Sequence, residues 1–520
     1  FGSGNLTGGS NTVIGREAAY QNTSGQHNVQ IGQATGYATT SGSNNVGVGS
    51  QALRFNTTAS NNTAVGYQAG YDNTTGYSLT AIGRKSLYSN TTGASNVAVG
   101  YQALEDNTTG GSNSSLGYQA LANNTTASNN TAVGYQAGYS NTTGEVTAVG
   151  YGALYSNSTG VGNAAFGMNV LRSTTTGIGN AAFGNQHIGV ANATMYANTT
   201  GNYNSAMGVS ALRDNTTGSS NTAQGYMALL SNTTASNNTA LGYQAAYNAT
   251  TSHSNVAIGY QTLLSLTTTT NSNFSTAVGY QAGYNSTHNV DAFGSKALYS
   301  NTTGIFSVAI GREALYSNTT ASNNTAVGYQ ALYYNTASNI TGVGFRAGYA
   351  NSTGTENVFV GRAAGYANTT GSNNTYVGYH AGNLGTTGSN NTAVGRNAMD
   401  AVTTGTLNTA VGSGSLSAVT NGYYNSALGV NAGVRITSGY QNVSIGRDSH
   451  DALTTGANNT AVGHSALSAS TSGNNNTAVG AGSGSVITTG AKNTIIGGYN
   501  GNEGGLDIRT SSNNIVLSDG

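Results

Sequence analysis

Short apolar pairs recur along this chain at a fixed distance, each followed by Gly and then by a polar stretch. The clearest copy is Asn62-Thr63-Ala64-Val65-Gly66-Tyr67-Gln68-Ala69, which returns unchanged at 130–137 and 324–331. With its Gly as the anchor, copies fall at Gly15, Gly32, Gly49, Gly66, Gly83 and Gly100 and continue to Gly497, giving 29 anchors. Of the 28 intervals, 23 are 17 residues; the exceptions are Gly134–Gly150 and Gly328–Gly344 at 16, Gly184–Gly208 at 24, Gly259–Gly279 at 20 and Gly279–Gly294 at 15. One period over nearly the whole chain is the mark of a repeat architecture, and changes of spacing belong in loops on one face of it. The reading is one continuous repeat domain over 1–503. Ile515-Val516-Leu517, within 504–520, reads as a degenerate last copy.

The residues between the apolar pairs argue against helix. They are Asn, Thr, Gly and Ser, which are poor in helix interiors and favoured at turns. A run such as Thr-Ala-Val between Asn, Gly and Thr corners reads as a short strand. A unit of 17 residues is too short for a helical hairpin and suits one coil of a solenoid. The expectation is an all-β fold, a parallel β-solenoid or β-roll of about 30 coils stacked at the inter-strand spacing. Stacking sets like residues on like. The residue before the anchor is Val, Ile, Leu, Phe or Met in 28 of 29 copies and is expected to form a thin core. Two before it stands Ala in 20 copies, and four before it Asn in 23, a column suited to an amide ladder. So thin a core calls for a second burial surface. Self-association as a homotrimeric rod, through the Ala column, is the expected source.

Composition then narrows the function classes. The 520 residues include 77 Gly but no Pro, Cys or Trp, and only 6% are charged. Pro would delete a ladder donor in every coil it entered. No cysteine means no disulfide framework and no thiolate metal site. A net charge of zero supplies no field for nucleic acid, and no apolar run is long enough to cross a bilayer as a helix. The chain starts at Phe1 without Met and stops at Gly520 in mid-pattern, so it reads as an excerpt of a longer polypeptide.

The wording Asn-Thr-Ala-Val-Gly-x-x-Ala, with relatives Asn96-Val97-Ala98-Val99-Gly100 and Asn255-Val256-Ala257-Ile258-Gly259, is similar to the head repeat of trimeric autotransporter adhesins. That resemblance covers essentially the whole chain. It implies a left-handed parallel β-roll with one coil per repeat, packed as a homotrimer, although 17 residues exceed that family's usual coil. The phrase Asn-Thr-Ala-Val-Gly-Tyr-Gln-Ala-Leu-Tyr-Ser-Asn-Thr-Thr-Gly also resembles the shafts of long bacteriophage tail fibres. The stretch from Gly504 to Gly520 is similar to the segment that leads into the self-cleaving chaperone domain of such fibres. These resemblances imply an extracellular structural protein, part of a virion tail fibre or a cell surface. Its partners would be itself and a host-surface polysaccharide or protein receptor.

Enzymatic constellations are poor, and no catalytic, cofactor-binding or metal residue is assigned. His27, His187, His253, His288, His380, His450 and His464 are scattered without metal-ligand spacing. Glu105-Asp106 and Asp448 near Asp451 read as solvated corner residues rather than carboxylate dyads. Gly47 to Ala52, Gly160 to Ala165 and Gly177 to Ala182 match the dinucleotide fingerprint only because the array is Gly-rich. Tyrosine is more informative. Five past the anchor stand Tyr284, Tyr299, Tyr316, Tyr333, Tyr349 and Tyr366 on six consecutive coils, the candidate surface or glycan contact. Ring stacking and lateral packing explain the same stripe. One past the anchor run Tyr101, Tyr118, Tyr135 and Tyr151. Arg16, Arg84, Arg312, Arg362, Arg396 and Arg447 share that column and read as interruptions that prevent sticking. Asn56, Asn73, Asn90 and Asn107 open glycosylation-type triplets that a turn of Asn and Thr explains equally well.

Overall fold

A computed structural model describes residues 8–185, 192–267 and 273–518. The chain divides into two compact units, residues 1–261 with 266–268, and residues 262–265 with 269–520. Among the described residues the first carries fifteen strands of three or four residues, from Thr12–Ile14 to Val256–Ile258. The second carries fourteen, from Thr276–Val278 to Thr494–Ile496, then a small hairpin of Asn502–Glu503 with Leu506–Asp507, and finally Ile515–Leu517. Among the described residues there is no helix. The fold is all-β, a parallel β-solenoid built on the 17-residue repeat.

Within each unit the repeat strands pair in parallel with the strand one repeat on; only the two strands of the small hairpin pair antiparallel, with each other. In the first, Thr63, Ala64 and Val65 stand opposite Thr80, Ala81 and Ile82; in the second, Thr392, Ala393 and Val394 stand opposite Thr409, Ala410 and Val411. Irregular spacings leave this register untouched. Thr131 meets Thr147, Ala181 meets Ser205, Thr276 meets Asp291 and Thr494 meets Ile515, so the extra or missing residues are absorbed outside the strand. Ile515–Leu517 is thereby the last copy that the sequence indicates, and the Asn502–Asp507 hairpin is the insertion before it.

Hydrogen bonding continues around the coil beyond the strand. The Gly66 and Gln68 amides donate to Val48 and Ser50 on the coil before, whereas Gly70, Asp72 and Thr74 donate to Ser86, Tyr88 and Thr91 on the coil after. Pro at any of these positions would remove one of these donors. The anchor needs Gly on two counts: Gly66 has φ 137°, and a Cβ there would stand 2.6 Å from the Gly83 carbonyl oxygen.

The core differs from the sequence expectation. The Ala two before the anchor points inward and is buried, as at Ala64, Ala98, Ala132, Ala393 and Ala410. The aliphatic residue before the anchor stands outside: Leu116 is 51% exposed, Met207 50% and Leu428 53%. Side chains alternate across a strand, and the interior is already filled by residues past the anchor. Leu53, Leu87, Leu104, Leu121 and Leu154, four past it, are buried in the left-handed region at φ of 50–52°. Volume is conserved between these positions. Where the inward strand residue is Phe359 or Tyr376, the residues four past the neighbouring anchors are Gly348, Gly365 and Gly382, and an added Cβ at any of them would strike the ring.

Two Asn columns complete the interior. The column four before the anchor bonds chiefly to backbone: Asn45 Oδ1 accepts from the Asn62 amide at 3.0 Å, and Asn45 Nδ2 donates to the Ala59 carbonyl at 2.9 Å. The longest side-chain amide ladder lies seven past the anchor, in what reads as a polar corner. There Asn73, Asn90, Asn107 and Asn124 each donate from Nδ2 to the preceding Oδ1 at 2.7–2.9 Å. After Asn368 this column turns apolar, with Val402, Val419, Ile436 and Leu453 buried in the same place.

Candidate functional site

The segment just past the anchor carries side chains on the outer face at one, two and five past it. The six tyrosines expected to form a stripe do so. Ring centroids of Tyr284, Tyr299, Tyr316, Tyr333, Tyr349 and Tyr366 are 5.0–5.4 Å apart in sequence order, within 3–22° of parallel. The coil rise sets this spacing, and an offset between rings suits their quadrupoles. Burial pushes the Tyr299 and Tyr333 phenols above their ordinary range. Burial and the bond to Tyr334 carry Tyr349 up to about 12. The column one past the anchor stacks likewise, Tyr101, Tyr118, Tyr135 and Tyr151 at 5.0–5.1 Å. A ladder of glutamine amides runs beside it, with Gln119 donating to Gln102 and Gln136 to Gln119, each at 2.9 Å.

The arginines continue this stack where rings are missing. The Arg84 guanidinium lies over Tyr67 and Tyr101 at 5.9 and 5.4 Å from their centroids. Arg362 lies over Phe345 and Tyr379 at 5.7 and 5.4 Å. Cation–π attraction therefore joins these side chains to the stripe.

The remaining candidate residues do not converge. Among the described residues no group of three or more His, Cys, Asp or Glu is placed to hold a metal ion, and no helix is long and apolar enough to cross a membrane. His27, His253, His288, His380, His450 and His464 fall on separate coils; His187 lies outside the described residues. Glu105 pairs with Lys85 at 3.5 Å, and burial, then the Glu105 charge, raises the Asp106 carboxyl. His450 takes the place of the core Leu. It is fully buried with Nδ1 2.7 Å from Ser444 Oγ, and burial lowers its imidazole to about 3. Asn56, Asn73, Asn90 and Asn107 are wholly buried with their amides engaged in the ladder, so a glycan has no access to them in the folded coil.

Around Phe345–Leu384 the outer face opens into a cavity of about 270 Å³, lined by Arg346, Arg362, Ala363, Tyr366, His380 and Asn383 among others. Sequence patterning gives Tyr366 and Arg362 as stripe members. The cavity is missed because Ala363, where many coils carry Gln, is a signal only beside its neighbours. No protein-family model matches the chain, and none of the curated proteins compared with it matches significantly.

Proposed function

We propose that this chain is the shaft of a bacteriophage long tail fibre, a non-enzymatic left-handed β-roll packed as a homotrimer outside the cell. It takes no cofactor, and it projects toward a host-surface polysaccharide or protein receptor. The observation that carries this reading is the in-register repetition of every column within each unit. The interior is occupied by ladders, which leaves the outer stripes for contact. The stretch from Leu506 to Gly520 supports it by its resemblance to fibre segments that precede a chaperone domain. The exposed aliphatic column supports self-association, because single chains rarely leave long apolar stripes open to water.

A second reading, a bacterial surface adhesin or extracellular filament subunit, is favoured by the adhesin-like wording of Asn96 to Gly100. Gold-labelled antibodies against the chain are expected to decorate the tails of intact virions. Label confined to a bacterial surface favours the adhesin, and label on neither overturns both.

A further inference from the structure

We infer that the cavity bounded by Arg346, Arg362, Tyr366 and Asn383 is a binding site for a carboxylate-bearing sugar ring of an acidic polysaccharide. It rests on local chemistry and stands whether the chain belongs to a fibre or an adhesin.

Two local departures from the repeat create the site. The six-ring stack ends at Tyr366, since the same position one coil on is Asn383, so one face of the last ring has no ring on it. Beside it, the column that carries Gln330 and Arg346 falls to Ala363 before His380, which removes a side chain from the floor. The space is smaller than the roughly 300–1,000 Å³ of drug-sized pockets and suits one ring unit.

Charge supplies the second half. Among the described residues Arg16, Arg213, Arg312, Arg447 and Arg509 each pair with an acid; Arg54, Arg84, Arg172, Arg396 and Arg435 enter no ion pair, and neither do Arg346 and Arg362. Both are held instead by rings: Arg346 lies 5.3 Å from the Phe345 centroid and 5.2 Å from Tyr349, with Nε donating to Gln330 Oε1 at 2.9 Å. Guanidinium groups fixed on their stems present planar donors that match a carboxylate. Burial holds Asp400, one coil on from Asn383, above the usual carboxylate range, against the opposing pull of His380 and its bond to Asn383. An aromatic face takes the C–H face of a sugar ring, the guanidinium pair takes its carboxylate, and the Asn383 amide is placed for a hydroxyl. A nucleic-acid strand would need an extended basic track, and the net charge of zero offers none.

The decisive variant is Ala363→Gln. It restores the side chain that Gln330, Gln281 and Gln261 carry at this position, so the coil keeps its fold while the cavity closes. Calorimetry on the full chain should show binding of trigalacturonate or of sialyllactose, the two arms separating a polymer unit from a terminal acidic sugar. Binding is expected to weaken at least about tenfold in Ala363→Gln and in Arg346→Gln/Arg362→Gln. The methyl ester of trigalacturonate should bind as weakly to wild type. Binding of neither acidic sugar, equal affinity in Ala363→Gln, equal affinity for the ester, or tighter binding of a thymidine oligonucleotide would each overturn the assignment.

Discussion

His450 stands in a column of buried Leu with only Ser444 to satisfy its ring. An unfolded His takes a proton near pH 6.5, whereas burial holds this one neutral down to about 3. Between those values the unfolded chain binds the extra proton, so stability is present above 6.5 and falls as the pH drops through the window. His450→Leu should remove this sensitivity. Between pH 6.5 and 4.5 wild type is expected to lose about 2–3 kcal/mol more than the variant, carboxylate effects being common to both. Hydrogen exchange around coil 446–462 is the suitable measure, because solenoids open locally. Parallel pH profiles would refute the argument. Leu104 tests the core at the same scale. Leu104→Ala should cost about 2–5 kcal/mol by opening a cavity. Leu104→Gly should cost no more than the Ala variant, since φ at this position is 52° and glycine enters that region without strain. A much larger loss for Gly in denaturant melts would show that the left-handed turn is not strained.

The column seven past the anchor shows how a coil stacks on its neighbours. Asn107 donates to Asn90 and to the Gly110 carbonyl and accepts from Asn124. Asn107→Val alone leaves the buried Asn90 Oδ1 without a donor and the Asn124 amide one acceptor short, an expected loss of about 2–4 kcal/mol. Changing Asn90, Asn107 and Asn124 to Val together leaves unmatched groups only at the ends of the block. The triple variant should therefore lose much less than three times the single one. Urea unfolding of both decides it, and strict additivity would count against a cooperative ladder. The Val402 to Leu453 stretch is the same replacement already present in the chain. The repeat, the strands and their register were legible because they depend only on spacing and β-type runs. Which residues face inward was not. Ala64 and Val65 are both apolar, and only the space left by Leu53, Gly70 and the Asn ladders puts the smaller one inside. Asn107 read as a turn residue and Leu104 gave no inward signal, because a left-handed turn around a buried Leu has no signature in hydropathy. The Tyr284–Tyr366 stripe was legible, since stacking follows directly from a constant offset, whereas the notch at Ala363 depends on two neighbouring departures, Ala363 and Asn383, at once.

With Ala columns inside, the surface proposed for self-association at the scale of the whole molecule moves to the aliphatic residue before each anchor. Val394 and Leu428 in the second unit are open to solvent, and a trough of about 190 Å³ beside Val411 and Ile445 is lined without charged groups. A stripe that repeats on each coil is self-complementary only to another copy with the same rise, which is the physical basis for expecting identical chains to pack along it. Val394→Arg with Leu428→Arg places two charges in that seam on alternate coils, far enough apart not to oppose each other along the column. Because both side chains are exposed in the single chain, each is expected to change its stability by no more than about 0.5 kcal/mol. Burying unpaired guanidinium groups between copies should be prohibitive. Light scattering is therefore expected to give three chains for wild type and one for the double variant, with the same circular dichroism spectrum. An unchanged mass in the variant would move the interface elsewhere, and the tyrosine stripe would be the next surface to test. A wild-type chain that is monomeric at micromolar concentration would overturn the trimer itself.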